Sequence, residues 1–221
     1  MKKLTIAIIF FALPLILFAG CHVGGVRGSG IRKTEQRDVG SFTIIDASGM
    51  LDVQVTCQKP VSLEVEGDDN LLPLIETDVV NGVLRIKSTK NYRSRGGIVV
   101  RITVPNLERV EASGAGKIQV ADLKNDRFEI HTSGVVTVSA SGDTKSLDIN
   151  QSGAGHMDTH KLQAASVSVN LSGAGDIDVY ASDTLDVTVS GAAHVTYSGD
   201  PKVTKHVSGA ASVSKKESHG V

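Results

Sequence analysis

The sequence of 221 residues has no tryptophan, two cysteines, five prolines and only 4% aromatic side chains. Two cysteines are too few for a fold held by a disulfide framework. A net charge of −1 gives no basic surface for a nucleic acid, so we expect no nucleic-acid partner. With 40% hydrophobic residues, the chain suits one globular domain or two small ones, which excludes collagen, long disorder and a polytopic membrane protein.

Residues 1–20 have the pattern of a secretory signal peptide. Two lysines precede an apolar run over residues 4–18, which is too short and too interrupted for a membrane span of ~20 residues. The run ends in Ala19-Gly20-Cys21, which resembles the lipobox of bacterial lipoproteins. We therefore expect Cys21 to be acylated and to become the new N-terminus. The alternative is an ordinary signal peptide cleaved near Ala19, which leaves Cys21 free.

Residues 21–30 are rich in glycine and predict a flexible tether between the lipid and the fold. No aspartate follows Cys21, and in enteric bacteria this favours export to the outer membrane. We expect a cell-envelope protein attached to the outer membrane through its N-terminal lipid, because two acyl chains already give stable anchoring.

Ser-Gly pairs recur through the second half of the chain at steps of 18 to 20 residues. Hydrophobic residues stand three and five positions before most of these serines and five positions after them. This pattern predicts a strand, a tight corner and a second strand, because the alternation has a period of two and glycine allows a positive φ. The serines of these corners are Ser113, Ser133, Ser152, Ser172, Ser190 and Ser208.

A unit of about 20 residues cannot bury its own inward face, so neighbouring units must stack to form a core. We predict an all-β fold, specifically a single-chain parallel β-helix, or β-solenoid. The alternative is a β-sandwich with repetitive turns. We also expect the small residue two positions after each serine to face inward.

The repeat divides the chain into portions. Residues 31–105 form a β-rich, irregular N-terminal portion, and residues 106–215 form the regular solenoid, followed by a tail over residues 216–221. The first portion contains a predicted hairpin over residues 79–86, because Asn81-Gly82 supplies the two positive φ values of a type I′ turn. Polar residues replace the apolar ladder near the C-terminus and predict a cap.

Outward positions four and six residues after the corner serines form the best chemical cluster of the sequence. His156, Asp176 and His194 would stack in one column ~4.8 Å apart, with Asp158 and Asp178 beside them. Imidazole and carboxylate groups are ligands for divalent cations, which makes these five residues candidate metal ligands. The alternative is a solvated polar face, since no fixed ligand-spacing motif is present. The sequence assigns no catalytic residue and no cofactor.

A second cluster, which is basic, surrounds the predicted loop over residues 87–97. It would suit anionic lipid or lipopolysaccharide. The alternative is a solvated loop balanced by acidic residues at positions 64–69. The basic residues are Lys87, Lys90, Arg93, Arg95 and Arg101.

Several segments together resemble the head GIN domain family of bacterial adhesins, over about residues 29–214. This family occurs in secreted and lipid-anchored envelope proteins. The resemblance implies a β-helical fold and an adhesion or surface-interaction role, and it carries no catalytic residues. The segments are residues 28–30, 35–39, 42–44, 48–49, 52–55, 66–72 and 81–86, together with the serial Ser-Gly-Ala corners.

We therefore expect a lipid-anchored, non-enzymatic envelope protein that binds a glycan or a surface protein, and the oligomeric state stays open. One alternative is a polysaccharide-active β-helix enzyme that uses Asp158 and Asp178 as an acid–base pair. Against it, no arginine follows Arg127, and only three aromatic residues lie beyond that point. The other alternative is a structural or signalling component without a ligand of its own.

Overall fold

The computed structural model describes residues 25–216. Within this range every regular element is a strand except one turn of 3₁₀ helix at Leu72–Leu74, so the all-β prediction is confirmed. The strands are β1 (Val26–Arg27), β2 (Arg32–Gln36), β3 (Ile44–Thr56), β4 (Ser62–Asp68), β5 (Ile75–Val80), β6 (Val83–Ser88), β7 (Tyr92–Arg93), β8 (Val99–Thr103), β9 (Arg109–Ser198) and β10 (Lys202–Lys215).

Three predictions lie outside the described residues: the signal peptide, the acylated Cys21, and the tail beyond residue 216. Between residues 25 and 216, no helix is long and apolar enough to cross a membrane. The C-terminal half of the predicted tether is described, and it is paired chain rather than a free linker. Val26 and Arg27 form β1, which pairs in parallel with β7.

β3 joins the irregular and regular parts of the fold. One edge pairs in parallel with β9 along its whole length, with Ser48 opposite Ser113 and Gly49 opposite Gly114. The other edge pairs in parallel with β6 and then with β8. β8 also pairs antiparallel with β4, and β4 pairs antiparallel with β2. The sheet is therefore mixed, and its strand order is β10-β9-β3-β8-β4-β2.

The predicted hairpin is confirmed. β5 and β6 pair antiparallel from Val80 opposite Val83 outwards. Asn81 and Gly82 connect them with φ values of 52° and 77°, the positive values that a type I′ turn requires.

The corner glycines stack directly on one another. A Cβ atom on Gly134 would lie 2.3 Å from the carbonyl oxygen of Gly114, and one on Gly191 would lie 2.0 Å from that of Gly173. Both glycines also have φ above 100°. From Gly114 onwards each corner therefore needs glycine for two reasons, its conformation and the close approach of the preceding corner.

The buried core follows the predicted columns. The residues three positions before the first five corner serines are at most 1% exposed, namely Val110, Ile130, Ile149, Val169 and Val187. The residues five positions after the same five serines are at most 2% exposed, namely Ile118, Val138, Met157, Ile177 and Val195. One continuous cluster of buried side chains extends from Phe42 to Val195, so the two parts share one core.

The prediction for the site two residues after each serine is wrong. Val135 is 64% exposed there, and the alanines at the equivalent positions of the other corners are exposed as well. The period of two continues through the corner, so odd-numbered offsets from the serine face inward. The inward site is three residues after the serine, where Val136 and Ala193 are buried.

Candidate binding surfaces

An open groove crosses the stacked corners, with a volume of about 740 Å³. We call it the corner groove. One wall consists of the corner serines Ser113, Ser133, Ser152, Ser172 and Ser190. The other wall is the column two positions before the serines, which contains Asp46, Glu111, His131, Asn150, Asn170 and Thr188. Hydroxyl, amide and carboxylate groups from five or more successive units thus face one continuous surface.

The two ends of the corner groove differ in charge. Burial raises the pKa of Asp46 above its usual range, and the negative charge of Glu111 raises it further, against the opposing effect of Arg85. At the neutral end, the amide nitrogen of Asn170 donates to the side-chain oxygen of Asn150 at 3.3 Å. The groove therefore offers a ligand acidic acceptors at one end and paired amides at the other.

The floor of the corner groove contains an unusual buried amide. Gln151 is 3% exposed and occupies a column that holds Leu171 and Val189 in the following units. Its Nε2 atom reaches the carbonyl oxygen of Ala174 at 3.5 Å. Its Oε1 atom is buried and has no hydrogen-bond partner within residues 25–216. A buried oxygen without a partner is destabilising.

A second site brings together two of the predicted metal ligands. Asp158, His160 and Asp178 each offer a ligand atom, and these atoms lie within 4.8 Å of one another. The Nδ1 atom of His160 is in hydrogen-bonding contact with Oδ1 of Asp158. Lys216 donates to Oδ2 of Asp178 at 2.6 Å, while Oδ1 of Asp178 is buried without a partner in the described chain. We call these three residues the Asp-His-Asp cluster.

The charges of the Asp-His-Asp cluster act on one another. Burial acts to raise the pKa of Asp158, but the hydrogen bond with His160 and the charges of His160 and His156 together lower it below the usual value. The pKa of Lys216 is raised by its hydrogen bond to Asp178 and by the charge of that carboxylate. The lowered pKa of Asp158 favours the carboxylate form that binds cations, whereas the protonated Lys216 occupies Asp178 and would have to be displaced by a metal ion.

The other predicted ligands are not drawn into a group. His156, Asp176 and His194 are all exposed, and within residues 25–216 they do not join the cluster of close ligand atoms. Nδ1 of His194 contacts the hydroxyl of Ser212 instead. Sequence analysis missed His160, which lies eight residues after Ser152. The outward alternation continues to that position, so counting one more step would have found it.

The predicted basic cluster is partly neutralised. Lys87 pairs with Glu76 at 3.1 Å, and Arg101 pairs with Glu66 at 2.7 Å. Arg93 and Arg95 form no ion pair within the described residues and line a pocket beside β1. Of the carboxylates that the sequence analysis expected at positions 64–69, only Glu66 pairs with a member of this cluster within the described residues.

Known proteins share this architecture. The family model described as "Putative auto-transporter adhesin, head GIN domain" matches residues 41–201. A solved "putative adhesin" from Bacteroides fragilis is 22% identical, with a TM-score of 0.69 over 87% of this chain and 100% of its own. A "putative lipid binding protein" from Parabacteroides distasonis is 20% identical, with a TM-score of 0.55 over 87% of this chain and 99% of its own.

A third solved structure, a "putative adhesin" from Parabacteroides merdae, is 18% identical, with a TM-score of 0.53 over 87% of this chain and 99% of its own. At these identities the likeness shows a common fold. A comparison with curated proteins finds no significant match.

Proposed function

This chain belongs to the head GIN domain family of adhesins, and we propose from that premise that it is a non-enzymatic cell-envelope protein which binds a surface ligand in adhesion. The corner groove is the observation that carries the proposal. It repeats a serine hydroxyl across successive units beside a column of varied polar side chains, which suits a long polar ligand such as a glycan chain or an extended peptide.

The contacts that the groove offers are individually weak. Serine, asparagine and threonine side chains provide hydrogen bonds but little apolar area, so we expect modest affinity at a single site. Several copies on one cell would multiply such contacts through effective concentration.

A glycan array probed with the purified mature chain tests this function. We expect ligands that lose at least about fivefold in affinity when Asn150 and Asn170 are both replaced by alanine, since two side-chain hydrogen bonds of about 0.5–1.5 kcal/mol each are removed. Gln163→Ala is the matched control, because it removes an exposed amide that lies outside the groove. Equal losses in both variants would contradict the assignment of the groove.

We further propose that Cys21 is acylated and that the mature chain is held at the outer membrane. The support is the Ala19-Gly20-Cys21 sequence at the end of the apolar run. Cys21→Ser should leave the precursor unprocessed or release the protein into a soluble fraction. Unchanged processing and unchanged membrane fractionation would refute the lipidation.

The finer architecture that we propose is a parallel β-solenoid over residues 106–215, attached to an irregular portion over residues 31–105. Its support is the contact of each corner glycine with the preceding one and the parallel register of β9 with β3 and β10. An experimental structure in which Ile130, Ile149 and Val169 do not form one interior column would contradict it.

A second candidate function is divalent-cation binding, which the close grouping of Asp158, His160 and Asp178 favours. Binding to the folded state should raise the melting temperature with added Zn²⁺. His160→Ala should abolish that rise, whereas His156→Ala, which removes a nearby exposed imidazole, should preserve it. A rise that depends on His156 alone, or no rise at all, would leave the cluster as a polar face.

The polysaccharide-active alternative has less support. Asp158 and Asp178 are close enough to act as a pair, but each is already engaged, by His160 and by Lys216 respectively. Cleavage of an acidic polysaccharide that is lost in Asp158→Asn would overturn the non-enzymatic proposal.

A further inference from the structure

We propose that an arginine-lined pocket beside β1 binds the phosphate group of an anionic lipid at the membrane surface. The pocket lies between residues 25–32 and residues 93–96 and has a volume of about 1040 Å³. We call it the basic pocket. Four arginines and one aspartate line it, namely Arg27, Arg32, Arg93, Arg95 and Asp68.

Strand pairing forces two of these arginines together. In the parallel pair of β1 and β7, Arg27 lies opposite Arg93. Opposite residues of paired strands point to the same side, and the strands are ~4.8 Å apart. Two like charges in this arrangement repel each other, and an anion between them would remove the repulsion.

Three of the positive charges are available for a ligand. Arg27, Arg93 and Arg95 are exposed and form no ion pair within residues 25–216. The fourth, Arg32, is bound to Glu66 at 2.8 Å. Asp68 is 3% exposed and already accepts a hydrogen bond from Ser94 at 2.8 Å, so one buried negative charge offsets only part of the field.

The walls of the basic pocket are held in place by hydrogen bonds. The backbone nitrogen of Gly28 donates to the carbonyl oxygen of Arg93 at 2.8 Å. The amide nitrogen of Asn70 donates to the carbonyl oxygen of Arg27 at 2.8 Å, and its oxygen accepts from the backbone of Ser29 at 2.9 Å. A side chain on Gly28 would overlap the Asp68 carboxylate, so this close approach needs glycine. The two arginine-bearing segments are therefore preorganised, which lowers the entropic cost of binding.

The position of the pocket in the chain selects a lipid as the source of the phosphate. Gly25 lines the pocket and follows Cys21 by four residues, a length of chain that spans at most ~14 Å. An acyl group on Cys21 would hold the pocket at the depth of the lipid headgroups, and guanidinium groups bind phosphate with paired hydrogen bonds. This step rests on the proposed lipidation, whereas the charge arrangement does not.

Vesicle cosedimentation tests the inference without the lipid anchor. The protein is the chain from residue 21 carrying Cys21→Ser, which retains the whole buried core between Phe42 and Val195. Vesicles of phosphatidylglycerol and phosphatidylcholine are compared with vesicles of phosphatidylcholine alone. We expect binding to the anionic vesicles only, and about a 25-fold lower partition coefficient for the double variant Arg27→Gln and Arg93→Gln, since each basic residue near an anionic surface is worth about fivefold.

The control double variant is Lys117→Gln and Lys161→Gln, which removes two exposed charges from the repeat. It should change the partition coefficient by less than about twofold, since charges remote from the membrane are screened. Equal losses in the two double variants, or equal binding to both kinds of vesicle, would overturn the proposal. Binding of inorganic phosphate without binding to anionic vesicles would assign the pocket to a soluble anion and also overturn it. Fractionation of the native Cys21 chain tests the lipidation separately.

Discussion

The repeat between residues 109 and 215 and the irregular portion before it bury their hydrophobic side chains through different kinds of strand pairing. β9 pairs in parallel with β3 and with β10, with serine opposite serine and glycine opposite glycine at the corners. The irregular portion mixes parallel and antiparallel pairs and joins distant segments such as β1 and β7.

This difference determines what kind of surface each part presents. Stacked corners produce columns, and the corner groove is therefore long and carries a serine hydroxyl in each unit. The irregular portion instead brings individual side chains together at one place, as it does with the opposed Arg27 and Arg93. Arg37 is another: its guanidinium donates to the carbonyl oxygen of Leu72 at 2.9 Å and to the hydroxyl of Thr77 at 3.2 Å. The first kind of surface suits an extended ligand, and the second suits a ligand with one charged group.

The largest expected change in the free energy of unfolding comes from a substitution that forces two stacked corners apart. Gly191→Val places a Cβ atom 2.0 Å from a backbone oxygen at a φ of 138°, and it should lower the free energy of unfolding by roughly 4–6 kcal/mol. The control is Gly30→Ala in the irregular portion, where φ is 83° but no atom lies within 4 Å of the added Cβ. That variant should lose only about 1–2 kcal/mol. Chemical denaturation followed by circular dichroism measures both, and equal losses would show that stacking adds nothing to the glycine requirement.

The second prediction asks whether the two parts unfold together. Ile149→Ala in the repeat and Ile102→Ala in β8 each empty a fully buried site of one continuous core. Each should lower the free energy of unfolding by about 2–5 kcal/mol and leave a single cooperative transition. Two separate transitions in either variant would mean that the parts are independent domains.

The third prediction tests whether an apolar residue in place of a buried polar one stabilises a column of the core. Gln151→Leu replaces a buried amide by the residue type found at the same place in the next unit, and should raise the free energy of unfolding by about 1–2 kcal/mol. Thr132→Val in the same column is the control and should change it by less, because the Thr132 hydroxyl is not one of the buried unpartnered atoms among residues 25–216. A less stable Gln151→Leu protein would mean that the amide has a structural partner such as water.

The smallest effect concerns pH. The pKa of Asp158 is lower in the folded protein than its usual 3.8, so the ionised carboxylate stabilises the fold above that pH. The stabilisation is lost as the pH falls through the lowered pKa. We therefore expect Asp158→Asn to be slightly less stable than the native chain at neutral pH and equal to it in strong acid. The effect is small because the side chain is 40% exposed. A difference in the free energy of unfolding between the two proteins that grows as the pH falls would contradict the lowered pKa of Asp158.

Sequence alone predicted the buried columns between residues 110 and 195, because they depend on a period of two that can be counted. The same counting would have found His160 and the column that contains Asn150 and Asn170, had it been continued in both directions from the serine. The contact of Lys216 with Asp178 could not be predicted from the period of the sequence, since the two residues are 38 positions apart and come into contact only in the folded chain.

The irregular portion was predictable only where local chemistry determines the structure, as at Asn81-Gly82. The pairing of Arg27 with Arg93 joins segments more than 60 residues apart, and no periodicity connects them. The segment before Gly30 was predicted to be a tether because glycine content describes the freedom of an isolated chain. It does not reveal a partner strand that removes that freedom.

The length of the corner groove depends on the number of stacked units, because each unit contributes one corner serine to its wall. Each added unit would extend the groove by about 4.8 Å, while the side chain two positions before its serine can differ, as Glu111, His131 and Asn150 do. Gain or loss of one whole unit by gene duplication or deletion would leave every column intact. A lineage could thus match the number of units to the length of its ligand, and change the chemistry of each step through one outward side chain.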